Sequence, residues 1–156
     1  PEAVWPWLVQ IGHKRAGWYN VDAINRMADP DYFYEGGRSA RRIIAELQQL
    51  EVGERIHLVP QLGLTVVQAM PERRLLLVGN PDAPEAASNA VWLFELQQVP
   101  RPGADIGTRL IVRFQSTFPG GLLARILNGF VNEIGGAVIQ QPAMLHGLKV
   151  RAEGRI

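Results

Sequence analysis

The sequence predicts one α+β domain in which an antiparallel sheet is covered on one face by a helical C-terminal segment. Three observations predict it. The chain has 156 residues, which suits a single core. Five strand-like runs occupy its middle, and apolar stripes at helical spacing follow them. A chain of this size buries about 68–70% of the surface that its unfolded form exposes. We therefore treat residues 1–156 as one domain.

The first third of the chain predicts short helices. Pro1–Glu2 suits a first helical turn, and apolar residues recur at helical spacing up to a stop at Gly12. Asp22 is predicted to cap a second short helix by accepting a backbone N–H bond. Ser39 is predicted to cap a third helix that ends at Gly53. The apolar face of that third helix consists of Ile43, Ile44, Leu47 and Leu50.

The middle of the chain changes to a strand pattern. The runs are rich in Val, Leu, Ile, Phe and Thr, and clusters of Pro or Gly separate them. The predicted strands are Arg55 to Val59, Leu62 to Ala69, Arg73 to Val78, Asn89 to Val99 and Thr108 to Phe118. Their short spacers predict sequential antiparallel hairpins. In the last two runs apolar and polar residues alternate, which predicts one apolar face and one wet face.

The C-terminal third supplies a cover for the apolar face. A first helical stripe consists of Leu122, Leu123, Ile126, Leu127, Phe130 and Val131. A second consists of Val138, Leu145, Leu148 and Ala152, with Met144 at its edge. Gly135-Gly136 interrupts the pattern, and Pro142 should kink the segment or delay the start of its last helix.

Composition and motifs exclude several classes of function. The net charge of +1, from 16 basic and 15 acidic residues, removes the main electrostatic argument for nucleic-acid binding. Absence of cysteine excludes disulfides and thiol nucleophiles. His13, His57 and His146 lack metal-ligand spacing, and neither a nucleotide-binding glycine motif nor a serine elbow occurs. We therefore expect no cofactor and no metal.

Two further expectations concern location. The N-terminal residues lack the basic region and apolar run of a signal peptide. No apolar run is long enough to span a bilayer, because Arg125, Asn128, Asn132 and Glu133 interrupt the longest candidate. With no cysteine to suggest an oxidising compartment, we expect a cytoplasmic protein.

The order of elements and several short motifs resemble the START-like superfamily, also called SRPBCC or polyketide cyclase/dehydrase-like. The motifs lie in order along nearly the whole chain. They are Pro1-Glu2-Ala3-Val4-Trp5, Gly17-Trp18-Tyr19 with Asp22, Glu46-Leu47-Gln48 with Val52-Gly53-Glu54, Thr108-Arg109-Leu110 with Arg113, Met144-Leu145, Gly147-Leu148-Lys149 and Arg151-Ala152-Glu153.

The resemblance implies a helix-grip fold, in which a curved antiparallel sheet wraps around a long C-terminal helix and short helices lie near the N-terminus. The family normally opens with a β-strand immediately before the segment that begins here at Pro1, and this chain lacks it. Either the chain is a fragment or the strand is absent. We favour a fragment, because a missing strand would leave the sheet with an unprotected edge.

The resemblance also implies a cavity between sheet and helix that holds an apolar small molecule such as a lipid, a polyketide or an isoprenoid. Aromatic and apolar residues of the predicted elements are candidates for its wall, with a few polar groups to orient the ligand. The candidate ligand-binding residues are Trp18, Tyr19, Trp92, Phe94, Leu110, Phe114, Met144, His146 and Leu148. We expect a binding protein rather than an enzyme, so no catalytic residue is assigned.

Alternatives remain open at this point. A cyclase or dehydratase could act in the same cavity with His146 or Tyr19 as proton donor. An interaction module with a filled core would bind no small molecule. If exposed at the cavity mouth, Trp18 and Tyr19 could dock on a membrane surface, since amphipathic aromatics favour such boundaries. The sequence leaves the ligand's identity and the oligomeric state undetermined.

Overall fold

A computed structural model describes residues 1–60, 62–83, 89–101, 103–117 and 140–156. Within these ranges the chain is α+β, with a curled antiparallel sheet of five strands and a C-terminal helix. The helices are α1 (Trp5–Val9), α2 (Asp22–Ala28) and α3 (Gln141–Ala152), with a short 3-10 helix at Ala45–Leu47. The strands are β1 (Arg55–Val59), β2 (Leu62–Met70), β3 (Arg74–Val78), β4 (Asn89–Arg101) and β5 (Ala104–Thr117).

The sheet is the predicted meander. Its strand order is β1-β2-β3-β4-β5, and each strand runs antiparallel to its neighbours. The strand bounds agree with the predicted ones to within one residue except at the turn between β4 and β5. There the two strands extend to Arg101 and Ala104, because Gly103 adopts a left-handed φ of +68° and closes a tight connection. Phe118, the predicted end of the last strand, lies outside the described residues.

One face of the sheet carries the core. The register aligns Leu77 of β3 with Trp92 of β4, and Trp92 with Phe114 of β5. Exposure rises along this row, since Leu77 is fully buried, Trp92 is half-buried and Phe114 is 38% exposed. Phe94 and Leu96 are buried on the same face, as the alternation predicts. The apolar face therefore becomes less covered toward β5.

The predicted helix from Ser39 to Gly53 is wrong. Only Ala45–Leu47 forms a helical turn, and it is a 3-10 turn. Tertiary hydrogen bonds replace the expected helical ones: the Ser39 N–H and hydroxyl both donate to the carboxylate of Asp22, at 3.0 and 2.6 Å. Further along, the Ile44 N–H donates to the Gln10 side chain at 2.9 Å. Because these tertiary bonds already satisfy the N–H groups of Ser39 and Ile44, the segment does not depend on helical hydrogen bonds.

Two details of the first helices also differ from prediction. Asp22 is the first residue of α2 and follows the N-cap residue Val21, so its carboxylate serves Ser39 instead of capping the helix. α1 covers Trp5–Val9 rather than the whole stretch from Pro1. The chain turns at Gly12, whose φ of +128° only glycine adopts easily, and a side chain there would collide with Ile56.

The N-terminal segment contacts the outer edge of β1. The His13 N–H donates to the His57 carbonyl at 2.7 Å, and the indole N–H of Trp18 donates to the same oxygen at 3.4 Å. The hydroxyl of Tyr32 donates to the neighbouring Leu58 carbonyl. These bonds occupy carbonyl groups that an exposed sheet edge would otherwise present to another chain.

Helix α3 is held against the N-terminal segment at very short range. Pro142 lies in its first turn, where the missing N–H costs nothing, so the proline marks the start of the helix. Met144 and Leu148 are each 1% exposed and join the core. At Gly147 a Cβ would lie only 2.0 Å from the backbone oxygen of Tyr19. The first predicted stripe and the Gly135-Gly136 interruption lie outside the described residues.

Candidate functional site

A cavity of about 530 Å³ lies where the N-terminal segment, the sheet and the start of α3 meet. This volume falls in the range of small-molecule pockets, which is about 300–1,000 Å³. The described wall residues are Trp18, Asn20, Asn25 and Tyr32 from the N-terminal segment, Leu58 and Val59 from β1, Trp92, Phe114, Gln115 and Ser116 from β4 and β5, and Gln140, Gln141 and Met144 at α3.

The apolar side of the wall is built on a stacked pair of indoles. The rings of Trp18 and Trp92 lie 4.8 Å apart between centroids and are within 6° of parallel. Phe114 meets Trp92 edge-on at 5.3 Å, and Phe94 lies behind it at 5.2 Å. Sheet register fixes Trp92 between Leu77 and Phe114, whereas the bond to the His57 carbonyl orients Trp18. The result is a flat aromatic surface supported from two elements.

One donor in this aromatic group is unused. The indole nitrogen of Trp92 is buried and has no hydrogen-bond partner among the residues that the structure describes. A buried donor without an acceptor costs about 1–3 kcal/mol in a protein. Natural structures contain few such groups, and each one calls for an explanation. The aromatic wall therefore contains one buried donor that has no acceptor in the described part of the chain.

Carboxamides and a serine form the other side of the wall. The Asn25 side chain donates to Asn20 Oδ1 at 2.6 Å, and the Val21 N–H donates to Gln140 Oε1 at 3.3 Å. None of the wall residues within the described ranges is Asp, Glu, Lys, Arg or His. The described part of the wall thus combines an apolar side with a polar side that carries no formal charge.

A hydrogen-bonded pair, His13 and Asp29, supports the wall from behind. His13 Nε2 lies 2.6 Å from Asp29 Oδ2, and the two side chains are 6% and 17% exposed. The hydrogen bond from His13 lowers the pKa of the Asp29 carboxyl. The His13 ring meets Tyr32 edge-on at 4.9 Å. Burial raises the pKa of Tyr32, whose hydroxyl is already bonded to Leu58, so this wall residue remains a neutral phenol.

The structure places the nine predicted site residues in three situations. Trp18, Trp92, Phe114 and Met144 line the cavity. Phe94 and Leu148 are buried in the core next to it, and Leu110 is half-buried against the same core. Tyr19 and His146 are absent from the described wall; His146 is exposed on α3. The structure therefore brings four of the predicted residues together around one space.

Tyr19 has a structural role that the sequence did not reveal. Its ring is 3% exposed, and its hydroxyl donates to the Trp7 carbonyl at 3.0 Å while accepting from the Gln10 amide at 2.9 Å. The Arg151 guanidinium lies over the ring at 4.4 Å. Burial raises the pKa of Tyr19 well above its usual range. Neither Tyr19 nor His146, the two residues considered as proton donors, lines the described wall of the cavity. Trp18 and Tyr19 are both buried, so they do not form the exposed aromatic pair that docking on a membrane would need.

Sequence reasoning missed every polar residue of the described wall apart from the tryptophans, and two apolar residues of β1. The missed residues are Asn20, Asn25, Tyr32, Leu58, Val59, Gln115, Ser116, Gln140 and Gln141. A partial signal existed, because Gln140-Gln141 directly precedes Pro142, which marks the start of α3. The contact of Gln140 with Val21 depends on the fold, since 119 positions separate the two residues.

Comparison of the chain with protein-family models, with curated proteins and with solved structures gave no match. In the part of the chain that the structure describes, no helix has the length and apolar character needed to cross a membrane. The same part contains no group of three or more His, Cys, Asp or Glu side chains placed to hold a metal ion. The cavity is therefore the feature on which a functional argument rests.

Proposed function

We propose that this chain is a START-like, helix-grip domain that binds an apolar small molecule, such as a lipid, a polyketide or an isoprenoid. The observation that carries the proposal is the cavity of about 530 Å³ with the stacked Trp18–Trp92 pair in its wall. Large flat side chains in a cavity wall give apolar ligands a surface to pack against. A filled core, as in a pure interaction module, would leave no such space.

The arrangement of elements supports the helix-grip part of the proposal. The five strands form a curled antiparallel meander. Helix α3 contributes Met144 to the cavity wall and Leu148 to the adjacent core. The ligand would thus be held between a sheet and a C-terminal helix. Burial of its apolar surface contributes about 25 cal/mol per Å², offset by the ordering of ligand and side chains.

Uptake of the neutral fluorescent probe N-phenyl-1-naphthylamine by the purified chain tests the proposal. We expect saturable binding with enhanced probe emission and quenching of tryptophan fluorescence, because the probe would lie against Trp18 and Trp92. Ser116→Trp places a large ring at a wall position of β5 and should weaken probe binding at least tenfold by filling the space.

Val91→Trp is the matched control for that variant. Val91 is 38% exposed, and strand alternation puts its side chain on the face opposite its neighbour Trp92. Probe affinity should stay within twofold of the unmodified chain. Native mass spectrometry and solvent extraction of the purified protein would identify a co-purified ligand. Absence of both a ligand and probe uptake would contradict the proposal.

A further inference from the structure

We propose that the ligand of this cavity is uncharged and presents an oxygen acceptor to the carboxamide groups of Asn20 and Gln140. The inference rests on the proposed function, since it names the class of molecule that the same cavity takes. The expected ligand has a planar apolar body for the indoles of Trp18 and Trp92 and a ketone, ester or ether oxygen for the amides. It is a neutral oxygenated lipophile rather than a fatty acid, a phosphorylated lipid or an amine.

The orientation of the Gln140 amide is fixed by its partner. A backbone N–H can only donate, so the atom that faces the Val21 N–H at 3.3 Å is the amide oxygen. Gln140 lines the cavity, and its NH₂ group has no acceptor among the described residues. An acceptor supplied by a ligand would satisfy it.

The asparagine pair supplies a second donor. Asn25 donates to Asn20 Oδ1 at 2.6 Å, so the amide oxygen of Asn20 is occupied. Its NH₂ group has no acceptor within the part of the chain that the structure describes, and Asn20 lines the same cavity. Asn20 and Gln140 therefore both have their oxygen engaged and their donor unused. The unpartnered indole N–H of Trp92 adds to the same excess of donors.

The described part of the wall has no charged side chain that could pair with an ionic ligand. A carboxylate or phosphate could accept from the amides, but the described wall offers it no Lys, Arg or His. Loss of hydration without a counter-charge is costly for any ion. A cationic amine would also find unused donors instead of a carboxylate. A neutral acceptor uses the unbonded NH₂ groups and brings no charge into the cavity.

Three naphthalenes of nearly equal size test the inference by displacement of bound N-phenyl-1-naphthylamine at pH 7. They are 2-acetylnaphthalene, a neutral acceptor; 2-naphthoate, a charged acceptor; and 2-ethylnaphthalene, which has no acceptor. We expect the ketone to bind at least tenfold more tightly than the carboxylate, because both carry an oxygen acceptor at the same ring position and only the carboxylate brings a charge into the cavity.

The variant Gln140→Glu isolates the donor. Its carboxylate still accepts the Val21 N–H bond, but the NH₂ group is replaced by a charged acceptor. The affinity of 2-acetylnaphthalene relative to 2-ethylnaphthalene should fall about 3- to 10-fold, as expected for loss of one hydrogen bond. Cationic 2-naphthylmethylamine should gain affinity at the same time. Gln98→Glu makes the same charge change at an exposed position of β4 outside the wall and should alter neither ratio.

The outcomes separate the inference from the function on which it rests. Failure of N-phenyl-1-naphthylamine to bind would defeat both. If that probe binds but 2-naphthoate matches the ketone, the cavity is a ligand site and the inference is wrong. An unchanged ketone-to-ethyl ratio in a folded Gln140→Glu protein would overturn it too. The ketone-to-naphthoate ratio needs only the unmodified chain, so it decides the question even if the variant does not fold.

Discussion

Trp18 and Tyr19 are neighbours in sequence, yet they belong to two regions with opposite hydrogen-bonding character. Trp18 lines the cavity, whereas Tyr19 belongs to a buried group that we call the Gln10 network. This network consists of Gln10, Tyr19, Gln48, the Trp7 and Arg42 carbonyls and the Ile44 N–H. Gln10 is fully buried, and its amide donates twice and accepts twice at distances of 2.9–3.1 Å.

By contrast, several hydrogen-bond donors of the cavity wall have no acceptor in the described part of the chain. Within the described ranges, the indole N–H of Trp92 and the NH₂ groups of Asn20 and Gln140 have no acceptor. A fully satisfied buried network fixes one conformation of the chain, whereas unused donors beside a cavity remain available to a ligand. The comparison therefore separates polar groups that specify the fold from polar groups that we expect to recognise a ligand.

The largest effect is expected where α3 meets the backbone of Tyr19. In Gly147→Ala the new methyl would lie 2.0 Å from the Tyr19 oxygen, and neither backbone can yield without moving α3 off the core. We expect the free energy of unfolding to fall by about 3 kcal/mol or more, measured by urea denaturation. Probe uptake should fall with it, because α3 carries Met144 in the cavity wall.

His146→Ala is the control on the preceding residue. His146 is exposed, so its removal should change stability by no more than about 0.5 kcal/mol and leave probe affinity unchanged. A tolerated Gly147→Ala would mean that α3 does not pack on Tyr19 at this distance. A loss of probe binding in a stable His146→Ala protein would restore His146 as a site residue.

The sheet was predictable because its signal is local. Alternation along β4 identified Phe94 and Leu96 as buried, and proline and glycine clusters set the strand ends. The segment after Ser39 was mispredicted for the opposite reason. Its periodicity favoured a helix, but hydrogen bonds from Ser39 to Asp22 and from Ile44 to Gln10 determine its path. These partners lie 17 and 34 positions away, which no local pattern reports.

The candidate site divides along the same line. Its aromatic half, Trp18, Trp92 and Phe114, was predictable because large apolar residues on predicted core elements must lie near one another. Its amide half was not, because Asn and Gln are common on surfaces and carry no periodic signal. Only the fold shows that Gln140 meets Val21 and that its donor remains unused.

A smaller effect is expected inside the Gln10 network. Tyr19→Phe keeps the ring beneath Arg151 but removes the hydroxyl, which leaves the Trp7 carbonyl and the Gln10 amide each short of one partner. We expect a loss of about 1–3 kcal/mol in the free energy of unfolding. Affinity for N-phenyl-1-naphthylamine should stay within twofold, because the hydroxyl belongs to the network and not to the wall.

Tyr34→Phe provides the matched comparison, since Tyr34 is 48% exposed and its hydroxyl can bond to water. Its effect on stability should be within about 0.5 kcal/mol. A Tyr19→Phe protein of normal stability but with altered probe affinity would reverse the assignment. Tyr19 would then be a site residue rather than part of the framework.

The smallest effect is expected at the hydrogen-bonded pair of His13 and Asp29, which supports Tyr32 behind the cavity. Because the pKa of Asp29 in the folded chain lies below its unfolded value of about 3.9, its carboxylate contributes stability above that pH. The contribution is lost as the pH falls through the lower, folded-state pKa. In Asp29→Asn the melting temperature should depend less on pH in the acid range, whereas Asp31→Asn, at an exposed position in the same turn, should retain the dependence. If Asp29→Asn also leaves probe affinity unchanged near pH 7, the His13–Asp29 pair belongs with the framework. A weakened probe would show that His13 and Asp29 help to shape the cavity through Tyr32.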